Sequence, residues 1–187
     1  MKNNPITVGV DDSPFSFNTS QTTTQLIGVV CQGTRMVNVV RKVISVDGQD
    51  STEQLIELIR DIEKHVRYVL TDTITFGGFN LYDMEKVFQA TQKPLIAISE
   101  RQVNLEAVKK ALVHKFSPSV YRKKLQCILN AGNLYQTKIK TAGGVSDVFF
   151  HFKGIELSEV EDLIEKLCID SKLPEPVRMA HLIGTIF

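Results

Sequence analysis

Cysteine is scarce in this chain, charge of either sign is nearly balanced, and long hydrophobic runs are missing. Cys31, Cys127 and Cys168 are odd in number and far apart. That excludes a disulfide framework and zinc-type ligand spacing, and reads as ordinary thiols of a reducing compartment. No apolar run approaches the ~18 residues of a spanning helix, so a membrane partner is not expected. The opening "MKNNPITVGV" lacks the apolar stretch and small-residue cleavage site of a signal peptide. The expectation is a cytoplasmic protein. There is no internal repeat, low-complexity tract or linker, and 187 residues predict a single domain over 1–187. With 43% hydrophobic and 23% charged residues, the chain can bury a sizeable core.

What charge there is lies unevenly. The net charge is only +1, yet between Glu100 and Lys140 stand Arg101, Lys109, Lys110, Lys115, Arg122, Lys123, Lys124, Lys138 and Lys140, opposed only by Glu100 and Glu106. This stretch therefore carries +7 and the remainder −6. Such a block suits a phosphate-backbone binder whose acids hold a cation, and equally suits a set of solvated helix faces. Phe116, Tyr121 and Tyr135 are interleaved with it, where they would stack on bases.

"ITVGVDDSPF" opens the ordered pattern: Ile6, Val8 and Val10 alternate as in a strand, run into Asp11 and Asp12, and stop at Ser13–Pro14. After the polar loop "SFNTSQTTT", the segment "QLIGVVCQGTRMVNVVRKVISVDG" reads as a hairpin turning at "QGT". "DSTEQLIELIRDIEKH" has Leu55, Leu58, Ile59 and Ile62 at helical spacing, with a capping-box pattern in Ser51 and Gln54. "YVLTD" and "KPLIAIS" are short buried strands on either side of the loop "TITFGGFN" and the helical "LYDMEKVFQAT". Residues 104–130 are helical and basic. "LYQTKIKTA" and "VFFHF" form a further strand pair joined by "GGVSD", and two helices close the chain. Three antiparallel strands followed by helix–strand–helix–strand predict an α/β ribonuclease H-like mixed sheet flanked by helices.

The acids fall at telling places. Asp11 and Asp12 end the first strand, Asp47 and Asp50 lie between the third strand and the first helix, and Asp72 ends the fourth strand. If the first and fourth strands are parallel neighbours, Asp11 and Asp72 project side by side at the carboxyl edge, where ligands bind. Crowded carboxylates are unfavourable unless protons or hard cations neutralise them, and Mg²⁺ or Mn²⁺ prefer oxygen ligands. Taken singly, each acid has a plainer reading: Asp11 or Asp12 in an Asx turn, Asp50 as a helix cap, Asp72 tying down its glycine loop. In "LPEPVRMAHLIG", Val177, Met179, Ala180, Leu182 and Ile183 predict a buried helix, and Glu175, Arg178 and His181 make its polar stripe. A lone histidine there is commonly a hydrogen-bonded core residue; facing a carboxylate cluster, it is a candidate metal ligand or proton carrier.

"LPEPVRMAH" resembles the closing "LPEP-R-AH" type motif of endonuclease V, and "HFKGIELSEVEDLIEKL" resembles the segment before it. "VLTDTITFGGF", "GVDDSPF" and "QKPLIAISER" stand, in order, where that family has a strand ending in Asp, "GVDVSY", and a "P-IGVAKS" type strand. More closely, "GVDDSPF", "VDG-D-TE", "D-ITF-GFN" and "PEP-R-AHLI" resemble a small archaeal family of unknown function related to endonuclease V. The resemblance implies a ribonuclease H-like, Mg²⁺-dependent enzyme that cuts DNA or RNA near inosine. Carried over by position, the family's first acid falls on Asp11, its sheet-centre acid on Asp72 and its closing histidine on His181. Its second acid, a glutamate, has no identical match; Asp50 is nearest and Asp47 the alternative. The expected catalytic and metal-binding set is thus Asp11, Asp50, Asp72 and His181 with Mg²⁺ or Mn²⁺. Asp12, Asp47, Glu175 and Arg178 are expected as supporting or alternative groups. Nucleic acid is the expected partner, held by Arg101, Lys109, Lys110, Arg122, Lys123 and Lys124.

The departures are specific. The "PYIP"-type wedge that parts the strands is replaced by "VISVDGQD", the lysine of "GVAKS" by "AISER", and the histidine of the "DGHG"-type loop by "DTITFGG". Without a wedge, selective cleavage of inosine in a duplex is not expected, whereas single-stranded or structured nucleic acid needs no unstacking. A metal-dependent nuclease is one expectation, and a non-catalytic nucleic-acid binder with a relic site is the other.

Overall fold

The computed structural model describes residues 4–16 and 21–187. The middle of the expected loop "SFNTSQTTT" lies outside the described residues. Among the described residues, nine strands and six helices follow in order: β1 (Ile6–Asp12), β2 (Thr23–Gln32), β3 (Arg35–Ser45), α1 (Ser51–Ile62), β4 (Tyr68–Asp72), β5 (Thr75–Phe76), β6 (Asn80–Leu81), α2 (Met84–Thr91), β7 (Leu95–Ser99), α3 (Leu105–Lys115), α4 (Pro118–Ala131), β8 (Tyr135–Thr141), β9 (Gly144–Lys153), α5 (Leu157–Leu167) and α6 (Glu175–Gly184). Seven strands make one sheet in the order β3-β2-β1-β4-β7-β9-β8, and β5 pairs with β6 alone. β1, β4 and β7 are parallel at the centre, and antiparallel pairs flank them on both sides. This is the ribonuclease H-like mixed sheet that the element order predicts. Among the described residues, no helix is long and apolar enough to cross a membrane.

Both faces of the central strands are covered, so Thr7 and Thr71 are buried along with Val8, Val10, Val69 and Leu70. Val8, Val10 and Val69 pack with Leu55, Leu58 and Ile59 of α1 and Met84 and Val87 of α2. On the other face, Leu70, Ile96, Ile98 and Phe150 pack with Val160, Leu163 and Ile164 of α5 and Val177 of α6. A Cβ at Gly9 would lie 2.1 Å from the Pro176 carbonyl carbon and 2.3 Å from Val177 N. Only glycine lets the first turn of α6 lie directly on β1.

Four local expectations are corrected. Residues 104–130 form two helices because Pro118 begins a new one; it has no N–H to extend α3, which ends at Lys115. The capping box is not made: Asp50 is the N-cap without a side-chain cap bond, Ser51 is already helical, and its N–H donates to Asn80 Oδ1 at 3.1 Å. "GGVSD" is mostly strand, since β9 starts at Gly144 (φ +109°) and the turn is shorter. α6 is buried only where it meets the sheet: Val177 and Ala180 are fully covered, while Leu182 is exposed.

Candidate functional site

The register of the central strands brings the first acids together. β1 and β4 run parallel with Val10 opposite Thr71, so Asp11 and Asp72, the next residue on each, emerge at the same carboxyl edge. β7 continues the edge, with Ile98 opposite Asp72, which carries Glu100 to the same region. α6 delivers the histidine from the other end of the chain: Nδ1–H of His181 donates to Asp11 Oδ2 at 2.8 Å. Asp11 Oδ1 accepts the backbone N–H of Asp12 at 2.9 Å. The "PEP-R-AH" motif thereby acquires a physical reading. Glu175, buried, takes two bonds from Arg178 (Nε to Oε1 at 2.9 Å, Nη2 to Oε2 at 2.6 Å), and Pro176 sits on Gly9. Both fix the start of α6 so that His181 reaches Asp11. Glu175 and Arg178 act through this anchoring.

The electrostatics are those of anions held too close together. Burial raises the Asp11 carboxyl above its ordinary range, against the bond from His181. Burial and the neighbouring Asp11 push Asp12 up to about 6, with the Gly77 N–H partly offsetting them. Burial, then Asp11, Glu100 and Asp12, push Asp72 up to about 7. Immediately after Asp72, Thr73 is in the left-handed region (φ +53°), an unfavourable conformation for a β-branched residue. Its carbonyl accepts Thr71 Oγ1 at 2.8 Å and Tyr82 Oη at 3.3 Å, and its N–H donates to the Ile98 carbonyl at 2.7 Å. Those bonds hold the turn against the strain and set where Asp72 points.

The crowding has a pH signature. Asp72 and Asp12 bind protons more tightly in the folded chain than in the unfolded one, where carboxyls titrate near ~4. Their contribution is therefore present at low pH and is lost as pH rises through about 6 to 7. A tenfold difference in proton affinity between folded and unfolded chain is worth ~1.4 kcal/mol, and less where solvent screens the charge. The metal-free protein is expected to melt lower at pH 8 than at pH 5.5. Scanning calorimetry across that range tests this; a flat profile would remove the crowding.

Asp50 and Asp47 are not brought to this cluster. Asp50 accepts Ser45 N at 3.1 Å, Ser45 Oγ at 2.8 Å and Asn80 Nδ2 at 2.5 Å. Burial pushes its carboxyl up, but those bonds outweigh burial and leave it below the ordinary range. Asp47 (φ +56°) accepts Phe79 N at 3.0 Å and pairs with Lys115 Nζ at 2.5 Å. Both acids tie the β3–α1 turn to β6 and α3. Among the described residues, no three His, Cys, Asp or Glu side chains converge closely enough to hold one ion by themselves. The donor set still fits a hard divalent cation: Mg²⁺ keeps several waters and commonly uses one or two carboxylates. Asp11 and Asp72 supply that pair, and the His181 ring beside them lowers both carboxyls by less than burial raises them. Glu100 is the acid that sequence reasoning used only as a counter-charge. Its signal was available, since it follows a strand parallel to β4.

The basic block divides. Arg101, Lys110, Arg122 and Lys123 are exposed and Lys109 is half-exposed beside Glu106. Lys124 is instead buried, at 2% exposure, and donates to the carbonyls of Gly48 and Phe79 at 2.5 Å each and of Asp47 at 3.3 Å. Burial pushes its ammonium down. The expectation that Lys124 meets phosphate is overturned, because its three donors are committed to backbone. The aromatic residues are half-buried against the fold: Phe116 meets Phe79 edge-on, Tyr121 packs against the cluster of Leu81, Leu112 and Ile128, and Tyr135 stacks on Phe150. Lys124→Met should destabilise the fold by roughly 2–4 kcal/mol, since three buried carbonyls lose a charged donor. Denaturant melts measure this, and the salt dependence of any nucleic-acid binding should not change.

Beside Asp72, a cavity of about 190 Å³ is lined by Thr73, Thr75, Phe79, Ala97, Ser99 and His151, among others. Its hydroxyl protons have partners: Ser99 Oγ donates to Arg101 O at 2.7 Å and Thr73 Oγ1 to Thr75 O at 3.2 Å. His151 Nδ1–H donates to Asn133 O at 2.9 Å, and burial holds the ring's pKa down.

Comparison with known proteins fits this geometry. A family model described as endonuclease dU matches residues 6–187. A UPF0215 protein of Thermococcus sibiricus is 32% identical over 182 residues, covering 95% of this chain and 89% of the relative. The crystal structure of a protein of unknown function from Archaeoglobus fulgidus superposes with a TM-score of 0.82 at 25% identity, over 96% of both chains. Ciona intestinalis endonuclease V, in complex with a DNA containing an inosine followed by a ribo-adenosine, gives a TM-score of 0.58 at 11% identity, over 95% of this chain and 83% of that one. At that identity the likeness concerns the fold alone.

Proposed function

The chain belongs to the endonuclease dU family, and from that premise we propose that it is a Mg²⁺- or Mn²⁺-dependent endonuclease that cuts nucleic acid at a deaminated base, deoxyuridine first. The observation that carries this reading is the in-register placement of Asp11 and Asp72 at the carboxyl edge, with His181 bonded to Asp11. Asp11 and Asp72 would hold the cation together with water. A bound divalent ion there supplies an acidified water and charge neutralisation at phosphate. His181 fixes the orientation of the Asp11 carboxylate through Nδ1, and its exposed ring is placed to move a proton. Asp12 and Glu100 deepen the negative field that selects a cation. Arg101, Lys109, Lys110, Arg122 and Lys123 track the backbone phosphates. In the hydrolysis, a water oxygen bonds to phosphorus, one P–O ester bond breaks, and the released sugar oxygen takes a proton.

The cavity beside Asp72 offers the base a place. Its hydroxyl donors are committed and a neutral His151, protonated at Nδ1, has its other ring nitrogen as an acceptor. The wall therefore favours a ring N–H, which uracil and hypoxanthine carry and their parent bases cytosine and adenine lack at the corresponding position; thymine and guanine carry it too, so this contact separates a deaminated base only from its parent. No strand-separating wedge is supplied by "VISVDGQD", so a single-stranded substrate is preferred over a duplex.

The test uses labelled single- and double-stranded oligonucleotides carrying deoxyuridine, inosine or only ordinary bases, in Mg²⁺ and in Mn²⁺, with EDTA as the blank. Cleavage at the deoxyuridine in single strands, absent with EDTA, is the expected result. Salt-sensitive binding without cleavage under any condition would replace this reading by that of a nucleic-acid binder with a relic site.

A further inference from the structure

The two edges of the seven-stranded sheet are built differently. β8 closes one edge with seven residues and carries Lys138 and Lys140, both exposed. Short edges resist pairing with another chain; cations stand on both edges, Arg35, Arg41 and Lys42 on β3 included, so the edges differ in length rather than in charge. β3 closes the other edge with 11 residues. Along it, Val39 lies opposite Val29, Arg41 opposite Ile27 and Val43 opposite Gln25. These residues therefore share the face on which α6 packs. α6 covers Ile27, Val29 and Cys31 of β2 through Met179, Ala180 and Ile183, and leaves β3 bare. Met36, Val39 and Val43 are 49%, 41% and 52% exposed. The chain end extends the same apolar surface: Arg41 lies over the Phe187 ring at 5.1 Å, and Leu182, Ile186 and Phe187 are exposed.

We propose that β3 is the interface of a symmetric dimer, pairing antiparallel with β3 of a second copy so that one sheet runs through both subunits. The strand is self-complementary. With the twofold axis at Val40, Val39 faces Arg41 of the second copy, Asn38 faces Lys42, and no like charges stand opposite; the register shift at Val37 ends the regular pairing at Asn38. Moving the axis to Arg41 would set two guanidinium groups against each other, which disfavours that register. Lys42 is already neutralised by Asp61 at 2.9 Å, and a chain of net charge +1 does not repel its copy. The Val39 N–H donates to Asn38 Oδ1 at 2.9 Å, a side chain that gives way to a strand carbonyl. In such a dimer the carboxyl edges of the two copies point in opposite directions, so each site works alone.

Sedimentation velocity on the full chain, up to about 200 µM, reads the result as a species of twice the 21.0 kDa mass. The double variant Val39→Lys, Val43→Lys should dimerise at least tenfold more weakly, with the far-UV spectrum of the parent. Val40→Cys should give a disulfide-linked dimer on mild oxidation, whereas Gln136→Cys on the β8 edge should not. A parent chain that stays monomeric throughout, or a dimer indifferent to the lysine pair, overturns the proposal. Because neither lysine touches the carboxylate edge, these outcomes are independent of whether the protein cuts nucleic acid.

Discussion

Asp72→Asn should abolish metal-dependent cleavage, by about 10³-fold or more, while making the metal-free protein more stable at pH 8. The first effect follows if Asp72 shares the cation with Asp11, since losing a charged ligand removes several kcal/mol of charge stabilisation and each ~1.4 kcal/mol is a factor of ten. The second follows from the crowding that burial, Asp11, Glu100 and Asp12 impose on Asp72. An amide of nearly the same shape carries no charge, so the strain of ionising this position disappears. The gain is about 1–3 kcal/mol at pH 8, shrinks as pH falls, and vanishes only below about 4, where the folded and the unfolded chain both hold the proton. Added Mn²⁺ should raise the melting midpoint of the parent chain at pH 8 and leave the variant much less affected. Cleavage retained in Asp72→Asn would remove Asp72 from the metal site. Loss of stability at pH 8 would show instead that the carboxylate is held by partners in the fold.

The second large effect is steric. Gly9→Ala should cost about 3 kcal/mol or more and lower the melting midpoint by roughly 10 °C. The added methyl meets the Pro176 and Val177 backbone, which has no side-chain freedom with which to yield. α6 must lift from β1, and His181 leaves Asp11 as it does. Cleavage should therefore fall together with stability, measured in the same preparation below its melting point. Gly9→Ala with unchanged stability would mean that α6 moves along β1 at little cost.

How far the sequence was legible depended on the range of the interaction. The alternation in "ITVGV", the helical spacing of Leu55, Leu58, Ile59 and Ile62, and the strand-ending Asp72 report local geometry, and the ribonuclease H-like order follows from them. The juxtaposition of Asp11 and Asp72 followed from assuming β1 and β4 parallel, which their register bears out. Asp50 was misplaced because its position before a helix does not reveal that Ser45 and Asn80 take its oxygens. Asn80 sits 30 residues away, beyond any spacing rule. Lys124 stands in the run "RKK" beside Arg122 and Lys123, indistinguishable from them by composition. Only the rotation of α4 turns it inward while its two neighbours face water. Glu100 was recoverable, because a residue just past the end of a parallel strand belongs to the same edge as the acids on its neighbours.

The bond between His181 and Asp11 joins residues 170 positions apart. During synthesis, at roughly 5–20 residues per second, β1 waits on the order of ten seconds or longer for α6. Until then Gly9 leaves a bare groove along β1, and the Asp11 carboxylate has no imidazole to orient it. The fold thus imposes an order on its own site: a growing chain can complete most of the sheet, yet the carboxylate edge gains its histidine only after α6 has been made. For the nuclease proposed above, that order would keep the site incomplete while the unfinished chain is held beside messenger RNA.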